Sequence, residues 1–152
     1  MDRQKLIAEL TRDEGKKSFP YLDCCGKPWR QCTCAVKGKL TIGIGRNLDD
    51  TPLSSEEMGY LANNNISDAM QDLDNHLPWW VKLNEVRQRV LVNMCFNMGI
   101  GSLLGFKNML SYAERGMFQE SAIEMHNSKW AGQVGPRASR LIAMWISGEE
   151  PR

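Results

Sequence analysis

No apolar run in this 152-residue chain approaches the length needed to cross a membrane, and Met1-Asp2-Arg3-Gln4-Lys5 lacks the apolar core of an export signal. The expectation is a product that stays in the cytoplasm where it is made, without stable membrane insertion. Net charge is nearly absent too. Nineteen Lys and Arg stand against eighteen Asp and Glu, and the resulting +1 excludes the broad basic footprint of a nucleic-acid binder. Histidine is scarce: His76 and His126 stand apart from any Cys or carboxylate at metal-ligand spacing and read as surface or capping residues. Repeats, linkers and low-complexity tracts are missing. The chain therefore reads as a single domain, long enough to bury roughly two-thirds of its unfolded surface.

What is present centres on residues 14 to 45. Ile7, Leu10 and Glu14 fall at i, i+3 and i+7, so an apolar helical stripe ends in a carboxylate, with Gly15 as the stop. An acid on that stripe should face inward, where partial desolvation and the negative end of the helix dipole both disfavour its charged form. In Lys39-Leu-Thr-Ile-Gly-Ile-Gly45, strand alternation puts Leu40, Ile42 and Ile44 on one face and Thr41, Gly43 and Gly45 on the other. Glycines inside a strand signal a bend or a close approach to the backbone. Glu14, Asp23 and Thr41 would then line one cleft.

The remainder reads as scaffold. Phe19-Pro20-Tyr21 opens a turn and strand region over about residues 15–50. Ser54 and Glu57 form a capping-box signature, and apolar residues at helical spacing from Met58 to Leu77 predict a long helix over about 54–77, ended by Pro78. A helical lobe over about 78–152 follows. Its centre is a buried helix from about Asn84 to Met98, broken by Gly99 and Gly101, with shorter helices around 103–114, 118–126 and 136–147. The expected class is α+β, mainly α: a small N-terminal β region and a C-terminal helical lobe joined by a long helix.

Four segments, Asp13-Glu14-Gly15, Tyr21-Leu22-Asp23, Thr41-Ile-Gly-Ile-Gly45 and Asn93-Met-Cys-Phe-Asn-Met-Gly99, together resemble the phage-type lysozymes, glycoside hydrolase family 24. The likeness continues through Ser128-Lys129-Trp130 and Pro136-Arg137. It implies a lysozyme-like fold and a muramidase that cleaves the β-1,4 bond between N-acetylmuramic acid and N-acetylglucosamine in peptidoglycan. Glu14 would be the general acid, with Asp23 and Thr41 directing a water that attacks with inversion. Gly45, Phe96, Asn97 and Arg137 would contact substrate, and catalysis would need no cofactor. It also implies a monomeric endolysin that lyses the host at the end of infection, held in the host cytoplasm until a holin opens the membrane and then acting in the periplasm.

Each of these residues has a plainer reading. A Glu before Gly is commonly a solvated helix end, Asp23 a turn residue, Phe96 core packing, Asn97 a helix-end polar group and Arg137 half of a surface ion pair. Trp79-Trp80 more often closes a core than stacks on sugar, and Cys95 on the central stripe reads as a small apolar side chain. Rival readings are a lytic transglycosylase, for which a water-directing pair would be superfluous, and a non-catalytic zinc-dependent binding protein centred on the Cys24 to Cys34 loop. That loop crowds Cys24, Cys25, Cys32 and Cys34 between Asp23 and the strand. The four can form two disulfides, a structural zinc site or four reduced thiols, and in each case their role would be to fix the loop that carries Asp23.

Overall fold

The computed structural model describes residues 1–150 and divides the chain into two compact units, Met1–Gly59 and Tyr60–Arg152. In the first unit, helix α1 (Arg3–Glu14) starts where the Asp2 carboxylate accepts from the backbone N–H groups of Gln4 and Lys5 at 3.0 and 3.2 Å. Gly15, at φ 75°, ends it. Strands β1 (Lys17–Leu22), β2 (Leu40–Gly43) and β3 (Arg46–Asn47) form an antiparallel sheet in that order. Pro20 is tolerated because β1 is an edge strand, and the register shifts between Lys17 and Tyr21.

Within this sheet Tyr21 lies opposite Thr41, and both are buried, at 7% and 5% exposure. Leu40 and Ile42 are only half-buried. The threonine is thus more deeply buried than the apolar residues on either side of it. Directly opposed residues of an antiparallel pair share a face, so Tyr21 and Thr41 lie side by side on the same one.

The capping box forms as its spacing requires. Ser54 N–H donates to Glu57 Oε2 at 2.8 Å and Glu57 N–H donates to Ser54 Oγ at 3.2 Å, opening helix α2 (Ser55–His76). Arg46 fastens this start, its Nη1 and Nη2 each 3.1 Å from a Glu57 carboxylate oxygen.

The second unit is helical: the C-terminal part of α2, then α3 (Glu85–Met98), α4 (Ile100–Leu104), α5 (Lys107–Glu114), α6 (Phe118–His126), α7 (Lys129–Val134) and α8 (Pro136–Ser147). Leu73, Val90, Leu91, Met94, Leu103, Met109, Met125 and Trp145 are fully enclosed. Ser121 is the buried polar exception. Its hydroxyl donates to Met109 O at 2.9 Å and accepts from Trp145 Nε1 at 2.9 Å, so the indole N–H is satisfied inside the core. The central helix is buried along one side only, since Phe96 is 46% exposed. Gly99 does break it, at φ 76°, but Gly101 lies inside α4. Trp80 is buried with its Nε1 on Asp74 Oδ1 at 2.7 Å and Trp79 packs against the core, in line with the core-closing reading of this pair. Cys95 is likewise buried. Among the described residues no helix is long and apolar enough to cross a membrane.

Candidate active site

Glu14 is the last residue of α1, and its carboxylate reaches the tip of the β2–β3 hairpin. The hairpin turns there because Gly43 and Gly45 take φ 67° and 69°, which side-chain-bearing residues rarely adopt. A Cβ at Gly45 would come within 3.2 Å of Glu14 Oε2 and 3.3 Å of its Cγ. Both possibilities raised by the strand glycines, a bend and a close approach, are realised here. The inward-facing glutamate is not: Glu14 is exposed, α1 has no buried residue, and Ile7 and Leu10 of its stripe are exposed. The long glutamate side chain runs past the end of the helix to the bare hairpin backbone instead of into an apolar pocket.

Asp23 and Thr41 meet at the backbone of Lys39. Asp23 N–H donates to Lys39 O at 3.1 Å, Lys39 N–H donates to Asp23 Oδ1 at 2.8 Å, and the buried Thr41 hydroxyl donates to the same Lys39 carbonyl at 3.2 Å. Asp23 is exposed, and its Oδ2 has no hydrogen-bond partner among the described residues. Gly38 makes this possible: a Cβ there would lie 2.0 Å from Asp23 Oδ1 and 2.6 Å from Cys24 N, so no other residue fits against the carboxylate. Lys39 is anchored in turn by its ammonium on Asp50 Oδ1 at 2.9 Å, and that bond holds the Asp50 carboxyl below its ordinary range. The sheet unit thus carries Glu14 with Gly45 and Asp23 with Thr41. An exposed acid can move a proton, and a carboxylate with one oxygen unengaged beside a hydroxyl can orient a water.

Between Asp23 and Lys39 the four cysteine sulfurs all lie within 4.8 Å of one another, and none is disulfide-bonded. The Cys34 backbone N–H against the Cys32 sulfur holds that thiol down to about 7, aided by the neighbouring thiols. The Cys34 thiol, facing Cys24 and then Cys32, is pushed up to about 12. This group of donors can hold a metal ion.

In the helical unit, Phe96 and Arg137 line one groove of about 510 Å³ with Ile66, Met70, Trp80 and Asn93. Arg137 is positioned by Asn93, whose Oδ1 accepts from its Nε at 3.0 Å and its Nη2 at 2.7 Å. Asn97 is not part of this groove. Its Oδ1 accepts from Trp130 Nε1 at 3.0 Å.

Sequence reasoning missed Gly38, Lys39 and Asn93. Only Gly38 carried a signal, a glycine immediately before the strand; the other two act through contacts at sequence separations of 16 and 44.

The chain matches no protein-family model. It is 28% identical over 155 residues to the pre-baseplate central spike protein Gp5 of Enterobacteria phage T4; this covers 91% of the chain but spans only 27% of the spike protein's length. It is 28% and 29% identical over 156 residues to probable T4-type lysozymes 2 and 1 of Dictyostelium discoideum, covering 91% of the chain and 92% of each relative. Two relatives named as probable T4-type lysozymes are thus matched over nearly their whole length, and the resemblance carried by the four motifs holds: this chain is similar over about nine-tenths of its length to phage-type lysozymes.

Proposed function

We propose that the chain is a glycoside hydrolase that cuts the β-1,4 bond between N-acetylmuramic acid and N-acetylglucosamine in peptidoglycan. The observation that carries this is the grouping in one small sheet unit of Glu14 against Gly45 and of Asp23 and Thr41 on the Lys39 backbone. The likeness to T4-type lysozymes supports the same chemistry.

In this mechanism Glu14 gives its proton to the glycosidic oxygen as the bond to the anomeric carbon breaks. The unengaged oxygen of Asp23 and the Thr41 hydroxyl orient a water on the opposite face. That water attacks the anomeric carbon, Asp23 takes its proton, and the product keeps the new hydroxyl with inverted configuration. Glu14 ends ionised and Asp23 protonated, and exchange with solvent resets both. Phe96 and Arg137, from their shared groove, and Asn97 would contact the glycan or its peptide. No step calls for a cofactor. As a phage lysis enzyme the protein would act as a monomer, reaching the periplasmic wall once a holin has opened the membrane.

The test is lysis of outer-membrane-stripped cells, followed by turbidity. Glu14→Gln keeps the shape and loses the transferable proton, so clearing should slow by ~100- to 10,000-fold at an unchanged melting temperature. Clearing at close to the wild-type rate would remove Glu14 from the chemistry.

A further inference from the structure

The sheet unit buries few side chains, namely Tyr21, Leu22, Cys32 and Thr41. Yet it must hold an extended loop, from Cys24 to Gly38, with Asp23 at its start. A loop of this kind, with no apolar core beneath it, is where small proteins use a covalent or metal staple. We propose that Cys24, Cys25, Cys32 and Cys34 form a closed structural zinc site that clamps this loop and so fixes Asp23.

Geometry is the first argument. In a tetrahedral site with Zn–S bonds of ~2.3 Å, each sulfur lies ~3.8 Å from the other three. Here the Cys24 and Cys32 sulfurs are 3.7 Å apart, and all four sulfurs fall within 4.8 Å of one another. Two disulfides would need only two pairs of sulfurs to meet, not four sulfurs at one point. Four small apolar side chains would converge only inside a core, whereas Cys24 is exposed and Cys25 and Cys34 are half-buried.

The backbone explains the unusual ligand spacing. Zinc ligand pairs normally have two to four residues between them, but these are adjacent at Cys24-Cys25 and one residue apart at Cys32-Cys34. The N–H groups of Cys25 and Gly26 both donate to Leu22 O, at 3.2 and 2.8 Å, and Gly26 takes φ 64°. This tight turn folds two successive cysteines back toward one side. A 3-10 turn at Trp29–Gln31 returns Cys32 and Cys34 to meet them.

Charge is the third argument. Binding would exchange four thiol protons for one divalent ion and leave a doubly negative group, which needs cations nearby. Lys17 of β1 has its Nζ 2.5 Å from Gly26 O, next to Cys25, and Lys37 has its Nζ 2.9 Å from Cys32 O, so each half of the loop has an ammonium group on a carbonyl at or beside a ligand cysteine. All four ligands come from protein, no coordination position is left for substrate, and the ion's role is structural.

The experiment uses the full chain purified without chelator and analysed for metal, thiol content and intact mass. The expected result is about one zinc per chain, as a four-thiolate site requires, and on replacement by cobalt(II) the charge-transfer and visible bands of a tetrahedral thiolate complex. Cys24→Ser with Cys32→Ser should abolish the cobalt spectrum, whereas Cys95→Ser should keep it. Chelation should speed hydrogen exchange across residues 23 to 39. A chain without metal and with every thiol reactive, or one lighter by four hydrogens with the loop thiols unreactive, would overturn the proposal, as would a cobalt spectrum that survives the double substitution. Should that variant fail to fold, the wild-type cobalt spectrum decides alone. These readouts involve no sugar chemistry, so they stand or fall separately from the glycosidase assignment.

Discussion

The two units of this protein are held by different physics. Tyr60–Arg152 closes around enclosed leucines, methionines and Trp145, and even its buried serine is spent on satisfying an indole N–H. Met1–Gly59 has little interior and is held by turns and by carboxylate contacts to backbone N–H groups. Every residue assigned to proton transfer or water activation lies in the second kind of structure. Apolar packing tolerates little change but places no charge, whereas polar contacts can set an exposed carboxylate to within a bond length and add little stability. Stability and chemistry should therefore respond to different substitutions.

The largest separation is expected at Trp145. Trp145→Ala should cost about 3–5 kcal/mol in chemical denaturation, through the cavity it leaves and the loss of the indole N–H bond to the Ser121 hydroxyl. The fraction that stays folded should cleave at the wild-type rate; a large loss of turnover per folded molecule would break the division.

The converse is expected at Asp23→Asn and Thr41→Val. Each should lower kcat by ~10- to 100-fold with a small change in KM if, as proposed, they act on the attacking water in the transition state. Weaker substrate binding at unchanged kcat would reassign them as binding residues.

Gly45→Ala is a finer probe, because it combines an unfavourable φ, worth about 1–2 kcal/mol, with a contact that must displace the Glu14 carboxylate. Activity should fall by more than the stability loss explains. Equal losses in both would mean that the hairpin glycine serves the turn alone.

The smallest effect concerns acid stability. The Ser54 backbone N–H, then its hydroxyl, with Arg46 alongside, hold the Glu57 carboxyl below its ordinary range. A group depressed in the folded state contributes stability that is present above its unfolded value, near ~4.3, and is lost as pH falls through the lower folded value. Glu57→Gln should flatten the acid limb of melting temperature against pH. An unchanged limb would show that the capping box carries no titrating contribution.

These contrasts also explain what was legible in the amino-acid sequence. The α2 start was legible because a capping box is local: Ser54 and Glu57 satisfy each other three residues apart. The α3 boundaries were legible from the apolar run and Gly99. Helix α7, with six residues, is too short to show periodicity and was missed. The orientation of Glu14 was misread because helical periodicity names a stripe without saying what lies against it, and the hairpin tip that receives this side chain is about thirty residues further along the chain. That Thr41 lies beside Tyr21 depended on the strand pairing, and the need for Gly38 arose only when Asp23 folded onto it. The candidate residue types were readable from motifs; their hydrogen-bond partners were not, because Lys39 and Asn93 act across distant stretches of chain.

The central claim is that a water, placed by Asp23 and Thr41, ends the reaction begun by the Glu14 proton. It is tested most directly by digesting purified peptidoglycan in water enriched in oxygen-18 and weighing the released muropeptides. The account predicts reducing-end N-acetylmuramic acid carrying the heavy oxygen. Anhydro ends without incorporated label would contradict it and assign the chain to transglycosylase chemistry instead.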